Sequence, residues 1–189
     1  LASLTKILCT NLAIMKLYDE GRIDLKKTTG EYLPQLKGTG KDSLLIEQLL
    51  THEAGLEPFT PFYRETKEAA EKRKWYSNTH SSAYTIRVAR NFFAPILLKD
   101  SFNQRILYSP QQTVGKYKYS DNDFIFLGMI IEKIISKTLD TYIAEHFYEP
   151  MKLNTICFKP LRRIPLQRIV PSEIDPELRT QLLQGDVND

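Results

Sequence analysis

Two stretches of this 189-residue chain are apolar around most of a helical circumference, and they constrain the fold more than any other feature. The sequence predicts a first helix over residues 3–20, which Gly21 ends, and a second over residues 121–136. A helix that is apolar on most of its faces is buried on several sides. Both stretches are therefore expected to form the interior of the molecule.

The rest of the pattern is mostly helical, with few strand signals. Shorter helices are predicted over residues 45–51, 66–76, 139–147 and 177–184, and a helical stretch broken by Pro95 over residues 82–98. Residues 116–119 alternate polar and aromatic side chains, which indicates a short extended piece. Loops are predicted over residues 22–41, 52–61 and 159–176, and residues 99–110 receive no assignment.

The bulk numbers exclude several classes of protein. Net charge is +3, from 26 Lys and Arg against 23 Asp and Glu, too balanced for a nucleic-acid partner. No apolar run approaches the length of a membrane span. The three histidines are widely spaced, so neither a metal site nor a cofactor is expected. Cys9 and Cys157 lie among apolar neighbours, where buried thiols are the default and a disulfide stays open.

Ser3 and Lys6 are three residues apart, which places them on one face of the first helix. A serine hydroxyl becomes a nucleophile when a base takes its proton, and a lysine amine can do so when burial lowers its pKa. A serine at a helix start is more often a cap. Lys6 lies in an almost wholly apolar helix, however, and that context favours a chemical role.

Tyr119 and Asp121 are two residues apart and point the same way in an extended chain. A phenol beside a protonated lysine can act as a general base. The alternative is that Ser120 or Asp121 caps the helix that follows while Tyr119 packs in the core. A capping role does not exclude chemistry, so both readings stay open.

Taken together, these motifs resemble those of the serine β-lactamases and penicillin-binding proteins, whose signature includes S-x-x-K. The match is to the branch with Tyr in its second motif: class C β-lactamases, D-Ala-D-Ala carboxypeptidases and related esterases. Further segments resemble this family in the family's order, at residues 1–6, 17–25, 31–34, 46–56, 119–128 and 149–155. The resemblance covers most of residues 1–158.

The resemblance implies a set of roles. Ser3 matches the acyl-accepting nucleophile, Lys6 its amine partner and Tyr119 the phenolic base. Asp121 stands where many members carry Asn, which leaves substrate preference open because a carboxylate cannot donate to a substrate carbonyl as an amide can. The carboxylate is also expected to hold Lys6 protonated.

The implied fold is an α/β domain with a helical subdomain, and this chain, mainly α, is expected to hold its helical part with most of the sheet missing. Members carry a third motif, K-T-G or H-x-G, near the C-terminus. Residues 37–40 and 52–55 contain similar residues but are not assigned as the third motif, because both stretches precede the second motif in the chain. The chain opens without Met, so residues 1–189 are expected to be a partial β-lactamase-like domain lacking the N-terminal strands and the third motif.

Two functions stay open. The first is a serine hydrolase that acts through an acyl-enzyme on a β-lactam, an ester or a D-amino-acid peptide, with this fragment itself inactive. The second is a non-catalytic module of a larger, glycoside-hydrolase-containing cell-wall protein. The expected partner is a small-molecule or peptidoglycan-derived substrate, and the resemblance implies a periplasmic or extracytoplasmic location. Because the first helix is apolar on more faces than the helical part can cover, the fragment is expected to self-associate.

Overall fold

The computed structural model describes residues 2–61, 64 and 66–186. The chain divides into two compact units. The first is built from residues 3–60 and 106–157, and the second from Ala2 together with the described residues within 61–105 and 158–186. The first unit therefore consists of two chain segments that are far apart in sequence.

Most of the regular structure is helical. In chain order the helices and strands are π-helical Lys6–Asn11, α1 (Leu12–Asp19), α2 (Thr29–Tyr32), 3₁₀ turns Pro34–Leu36 and Lys41–Ser43, α3 (Ile46–Leu50), α4 (Ala69–Trp75), β1 (Ile86–Ala89), β2 (Phe92–Ala94), α5 (Ile96–Leu107), α6 (Asp121–Ile135), α7 (Leu139–Ile143), π-helical Ala144–Tyr148, 3₁₀ turns Pro160–Arg162 and Leu166–Arg168, β3 (Pro171–Asp175) and β4 (Gln181–Gln184). The described residues contain two sheets, each of two strands. This confirms the prediction of a mainly helical chain, the helical part of a β-lactamase-like α/β fold.

The core of the first unit forms where the two apolar helices meet. On α6, the fully buried side chains include those of Phe126, Leu127 and Ile130. The segment Lys6–Asn11 packs against both α6 and α7, and Leu17 of α1 is fully buried as well. A hydrogen bond of 2.7 Å from the Tyr148 hydroxyl to the Leu8 carbonyl ties the end of the unit to its first helix.

The opposite face of the first helix is open. Leu4, Ile7, Met15 and Tyr18 are each more than half exposed. Their spacing of three, eight and three residues keeps them on one side of the helix. Among the described residues, this helix is therefore buried on one side, and the expected burial on several sides is not reached.

The second unit corrects two helix predictions. Residues 82–98 contain the antiparallel hairpin of β1 and β2, with the start of α5 only after Pro95. Residues 177–184 contain β4, which pairs antiparallel with β3. The ring of Tyr76 stacks on that of Phe92 at 4.6 Å, and both belong to the core of this unit with Leu98.

Other predictions match the structure more closely. The helices predicted at 45–51, 66–76 and 139–147 correspond to α3, α4 and α7 with its π-helical continuation.

The short extended piece predicted over residues 116–119 is not assigned as a strand. Cys9 is buried and Cys157 is partly buried, and neither forms a disulfide. In the parts of the chain that the structure describes, no helix has both the length and the hydropathy to cross a bilayer.

Candidate active site

The four predicted site residues meet in the first unit. Lys6 Nζ donates a hydrogen bond of 3.1 Å to Ser3 Oγ. The Tyr119 hydroxyl donates one of 2.8 Å to the same oxygen. Lys6 Nζ also pairs with Asp121 Oδ1 at 2.5 Å. The start of the first helix and the start of α6 thus place a hydroxyl, an amine, a phenol and a carboxylate within one cluster.

Lys6 is held as a cation in a largely buried position. Its side chain is only 13% exposed, and Nζ lies 4.9 Å from the centre of the Tyr119 ring and 5.7 Å from that of Phe124. Burial alone would lower the pKa of Lys6, but the hydrogen bonds and charges of Asp121 and Tyr119 outweigh it and raise this pKa. The expected protonation of Lys6 follows from this ion pair rather than from exposure to solvent.

The first turn of α6 presents Asp121 to Lys6. Ser120 occupies the N-cap position with extended backbone, yet its hydroxyl makes no cap hydrogen bond. It donates instead to the Glu57 carbonyl at 2.6 Å, and the backbone N–H of Asp121 donates to the Pro58 carbonyl at 2.9 Å. Ser120 is therefore the N-cap residue by position, as one of the two readings has it, while its hydroxyl anchors the 57–60 loop.

Asn122 strengthens the same anchor. Its side-chain amide donates to the Glu57 carbonyl and to Thr60 Oγ1, both at 3.0 Å. Asn122 is fully buried, so these bonds satisfy a polar group that would otherwise be costly. Ser120, Asp121 and Asn122 thus together fix the loop beside the site.

The sequence reasoning missed two residues that border the site, His52 and Asp123. His52 is buried, and its ring lies 4.5 Å from that of Tyr119. Its Nδ1 lies 2.7 Å from Asp123 Oδ2. The sequence places His52 only at the start of the predicted loop 52–61. The available signal was Asp123 itself, an acidic residue one half-turn into an apolar helix.

Gly55 shapes the loop that carries His52. Its backbone lies in the left-handed region, with φ of +70°. A Cβ at this position would come within 2.6 Å of the Gln112 carbonyl oxygen. The Gln112 N–H donates to the Gly55 carbonyl at 2.7 Å, so this close approach joins the His52 loop to the segment leading into Tyr119.

The arrangement is suited to activating a hydroxyl. Ser3 Oγ is solvent-facing and lies between a phenol that can exchange donor and acceptor roles and a cation that can stabilise the resulting phenolate. Within the described residues, no three His, Cys, Asp or Glu side chains gather as metal ligands.

Comparison with known proteins adds independent observations. The family model described as beta-lactamase matches residues 1–169. The chain is 29% identical to an N-acetylmuramyl-L-alanine amidase of Bacillus subtilis strain 168, over all of this chain and 42% of that protein. It is 32% identical to a Salmonella gallinarum protein provisionally named a D-alanyl-D-alanine carboxypeptidase, over all of this chain and 43% of that protein.

A solved structure shows the same fold. The D-stereospecific amidohydrolase from Streptomyces sp. superposes with a TM-score of 0.60 at 21% identity, over 95% of this chain and 52% of that one. The chain spans about two-fifths of the length of the curated relatives it matches. Because the family match covers most of its residues, the chain belongs to the beta-lactamase family.

Proposed function

We propose that the protein is a serine hydrolase in which Ser3 forms an acyl-enzyme. The observation that carries the proposal is the pair of hydrogen bonds at Ser3 Oγ, from Tyr119 at 2.8 Å and from Lys6 at 3.1 Å. A serine held in this way has both a proton acceptor and a fixed positive charge within reach. Membership of the beta-lactamase family supports the same chemistry.

In the first step, Tyr119 acts as the phenolate, after its own hydroxyl proton has passed to solvent, and accepts the proton of Ser3 Oγ as this oxygen attacks the substrate carbonyl carbon. The 2.8 Å separation lies within the range needed for direct proton transfer. Tyr119 then returns the proton to the leaving group, and the carbonyl carbon remains bound to Ser3 as an ester. Water attacks this ester with Tyr119 again as base, which releases the acid and restores the Ser3 hydroxyl.

Lys6 contributes its charge rather than acting as the base. Its raised pKa keeps it protonated at neutral pH, so it has no lone pair with which to accept the serine proton. The cation near the Tyr119 ring can stabilise negative charge that develops beside it, and its hydrogen bond to Ser3 Oγ orients the attacking oxygen. The role of general base is therefore assigned to Tyr119.

We assign the substrate to amides or esters of the peptidoglycan or D-amino-acid type, in preference to β-lactams. The names of the amidase and carboxypeptidase relatives support this class. Asp121 supports it too, since its carboxylate accepts from Lys6 and has no N–H to donate to a substrate amide carbonyl.

A serine-directed fluorophosphonate probe tests the proposal. Intact-mass measurement of the full-length protein should show one adduct, and peptide mapping should place it on Ser3. Ser3→Ala should abolish the adduct, whereas Ser43→Ala, which removes an exposed hydroxyl of the same unit, should retain it. No adduct on the folded protein, or equal labelling of Ser3→Ala, would instead support a non-catalytic module.

A further inference from the structure

His52 holds the segment around Tyr119 from both sides. Its carbonyl accepts a hydrogen bond of 2.8 Å from the Lys118 N–H, and its Nδ1 accepts one of 3.2 Å from the Ser120 N–H. Between these two bonds, its ring lies against the ring of Tyr119 at 4.5 Å. The residues before and after Tyr119 are thus both fixed to His52.

His52 and Asp123 form a buried pair, and the hydrogen bond from the Ser120 N–H to His52 Nδ1 indicates where the protons of this pair lie. A ring nitrogen that accepts a hydrogen bond carries no proton. Asp123 Oδ2 lies 2.7 Å from the same Nδ1, a hydrogen-bond distance that requires a proton on one of the two atoms. With Nδ1 taken as the acceptor of the Ser120 N–H, that proton is assigned to Asp123.

The surroundings of Asp123 agree with a neutral carboxyl group. Its side chain is 1% exposed, and Oδ1 is buried with no hydrogen-bond partner among the described residues. An ionised carboxylate needs solvent or donors at both oxygens, so it would be strongly disfavoured here.

We infer that His52 and a protonated Asp123 act together as positioning residues for Tyr119, with the proton held on Asp123, so that the single lone pair of His52 Nδ1 is shared by the Asp123 O–H and the Ser120 N–H. His52 carries its own proton on Nε2 in this state. The phenol of Tyr119 is then held beside Ser3 Oγ by a neutral, buried pair that does not itself touch the reacting atoms.

Several opposing effects act on the pKa values of Asp123 and His52, and burial is the largest of them for both residues. Burial raises the pKa of Asp123 to about 8, against the opposing charge of Lys6 and the helix N-terminus. Burial and then the charge of Lys6 lower the pKa of His52, while Asp121 acts in the opposite direction. The titratable groups that face the pair are Lys6, Tyr117, Tyr119 and Asp121.

Raising the pH past the titration of Asp123 should change the hydrogen-bond pattern. The Asp123 proton moves to Nδ1, the Nε2 proton leaves to solvent, and the pair loses one proton in total. Nδ1 then donates to the Asp123 carboxylate, and the Ser120 N–H loses its acceptor. The restraint on the C-terminal side of Tyr119 is thereby weakened.

Nitrogen NMR of the histidine rings in the full chain tests this directly, and the chain has only three histidines. At about pH 6, His52 should carry its proton on Nε2, and at about pH 9 on Nδ1. In Asp123→Asn, the amide can donate to Nδ1 at every pH, so the Nε2 tautomer should persist. His146→Asn, which changes another ring-packed histidine of the same unit, should leave the switch unchanged.

The inference is overturned if His52 in the wild-type chain carries a proton on Nδ1 at about pH 6, a result that does not depend on Asp123→Asn folding. It is also overturned if the folded variant shows the same tautomer switch. Neither readout requires hydrolase activity.

A kinetic readout rests on the proposed function as well. At each pH, the labelling rate of Asp123→Asn is divided by that of the wild type. Any effect of pH on groups that both proteins contain then cancels from this ratio. We expect it to rise about threefold or more between about pH 6 and about pH 9, because only the wild type loses the Ser120 restraint. A ratio independent of pH, while the tautomer switches, would refute the positioning role; failure of both proteins to label would refute the proposed function.

Discussion

The carboxylate of Asp121 sets the charge of the residues around Ser3. It pairs with Lys6 at 2.5 Å and, together with Tyr119, keeps that amine protonated despite its burial. Family members with Asn here offer an amide donor in its place. The presence of Asp in place of Asn at position 121 therefore affects both the protonation of Lys6 and the hydrogen bonds that the site can offer to a substrate.

Replacing Asp121 with Asn tests this effect on specificity. The amide can donate one hydrogen bond to a β-lactam carbonyl, so turnover of a chromogenic cephalosporin by the full-length protein should rise about tenfold. Asp19→Asn, which removes the same charge from an exposed position, is the control. Unchanged or lower cephalosporin turnover with an intact fold would count against the assigned role.

Asp123 should also make stability depend on pH. Its pKa rises from 3.8 to about 8 on folding, so between these values the unfolded chain loses a proton that the folded chain keeps. The free energy of unfolding then falls as pH rises, by up to about 1.4 kcal/mol per pH unit. Asp123→Asn lacks this slope, so its stability relative to wild type should increase from about pH 4 to about pH 8.

Urea denaturation of both proteins at several pH values measures that difference. Asp19→Asn controls for the change in net charge. A difference in unfolding free energy that stays constant across the window would show that Asp123 ionises normally in the folded state.

At this scale, local spacing could identify part of the candidate site. The three-residue spacing of Ser3 and Lys6 and the two-residue spacing of Tyr119 and Asp121 follow from helical and extended geometry. His52 and Asp123 are 71 residues apart, and nothing local joins them. Their contact exists because α6 packs against α3, the helix that ends just before His52.

Among the elements, the two apolar helices were predictable because each has a strong periodic signal over many residues. The hairpins were missed because their strands have only three to five residues. Such short runs of apolar residues do not distinguish a strand from a helical turn. Packing of Phe92 on Tyr76 supplies the tertiary contact that the local pattern lacks.

The turn between β1 and β2 gives a prediction for the first hairpin. Asn91 has φ of 51°, in the left-handed region that a β-branched residue strongly avoids. Asn91→Val should lower the free energy of unfolding by about 1–2 kcal/mol, and Asn91→Gly should have little effect. Denaturant titration measures both changes.

Asn78→Val is a matched control for that turn, because Asn78 is exposed and is not among the residues with positive φ. If Asn91→Val and Asn78→Val destabilise equally, backbone strain at residue 91 is not the cause.

For the whole molecule, the open face of the first helix is the feature with the widest consequences. Leu4, Ile7, Met15 and Tyr18 form an exposed apolar strip on the helix that carries Ser3 and Lys6. Exposed apolar patches favour association. The expected self-association of the chain therefore has a specific surface to which it can be assigned.

Light scattering over a range of concentrations tests that assignment. The 189-residue chain should increase in mean mass with concentration, and the double change Met15→Lys and Tyr18→Lys should reduce the increase. Val170→Lys replaces an apolar side chain that is 84% exposed elsewhere and should have little effect. A monomer at every concentration, or equal effects of the two variants, would contradict the prediction.

The contacts at Ser3 and Lys6 reach across 116 and 115 residues of sequence, to Tyr119 and Asp121. Ser3 and Lys6 lie in one segment of the first unit, and Tyr119 and Asp121 lie in the other. A chain divided between these segments would leave half of the cluster on each polypeptide. Tagged with two interacting proteins, the halves could serve as a split reporter, in which serine labelling would signal that the two tags had met.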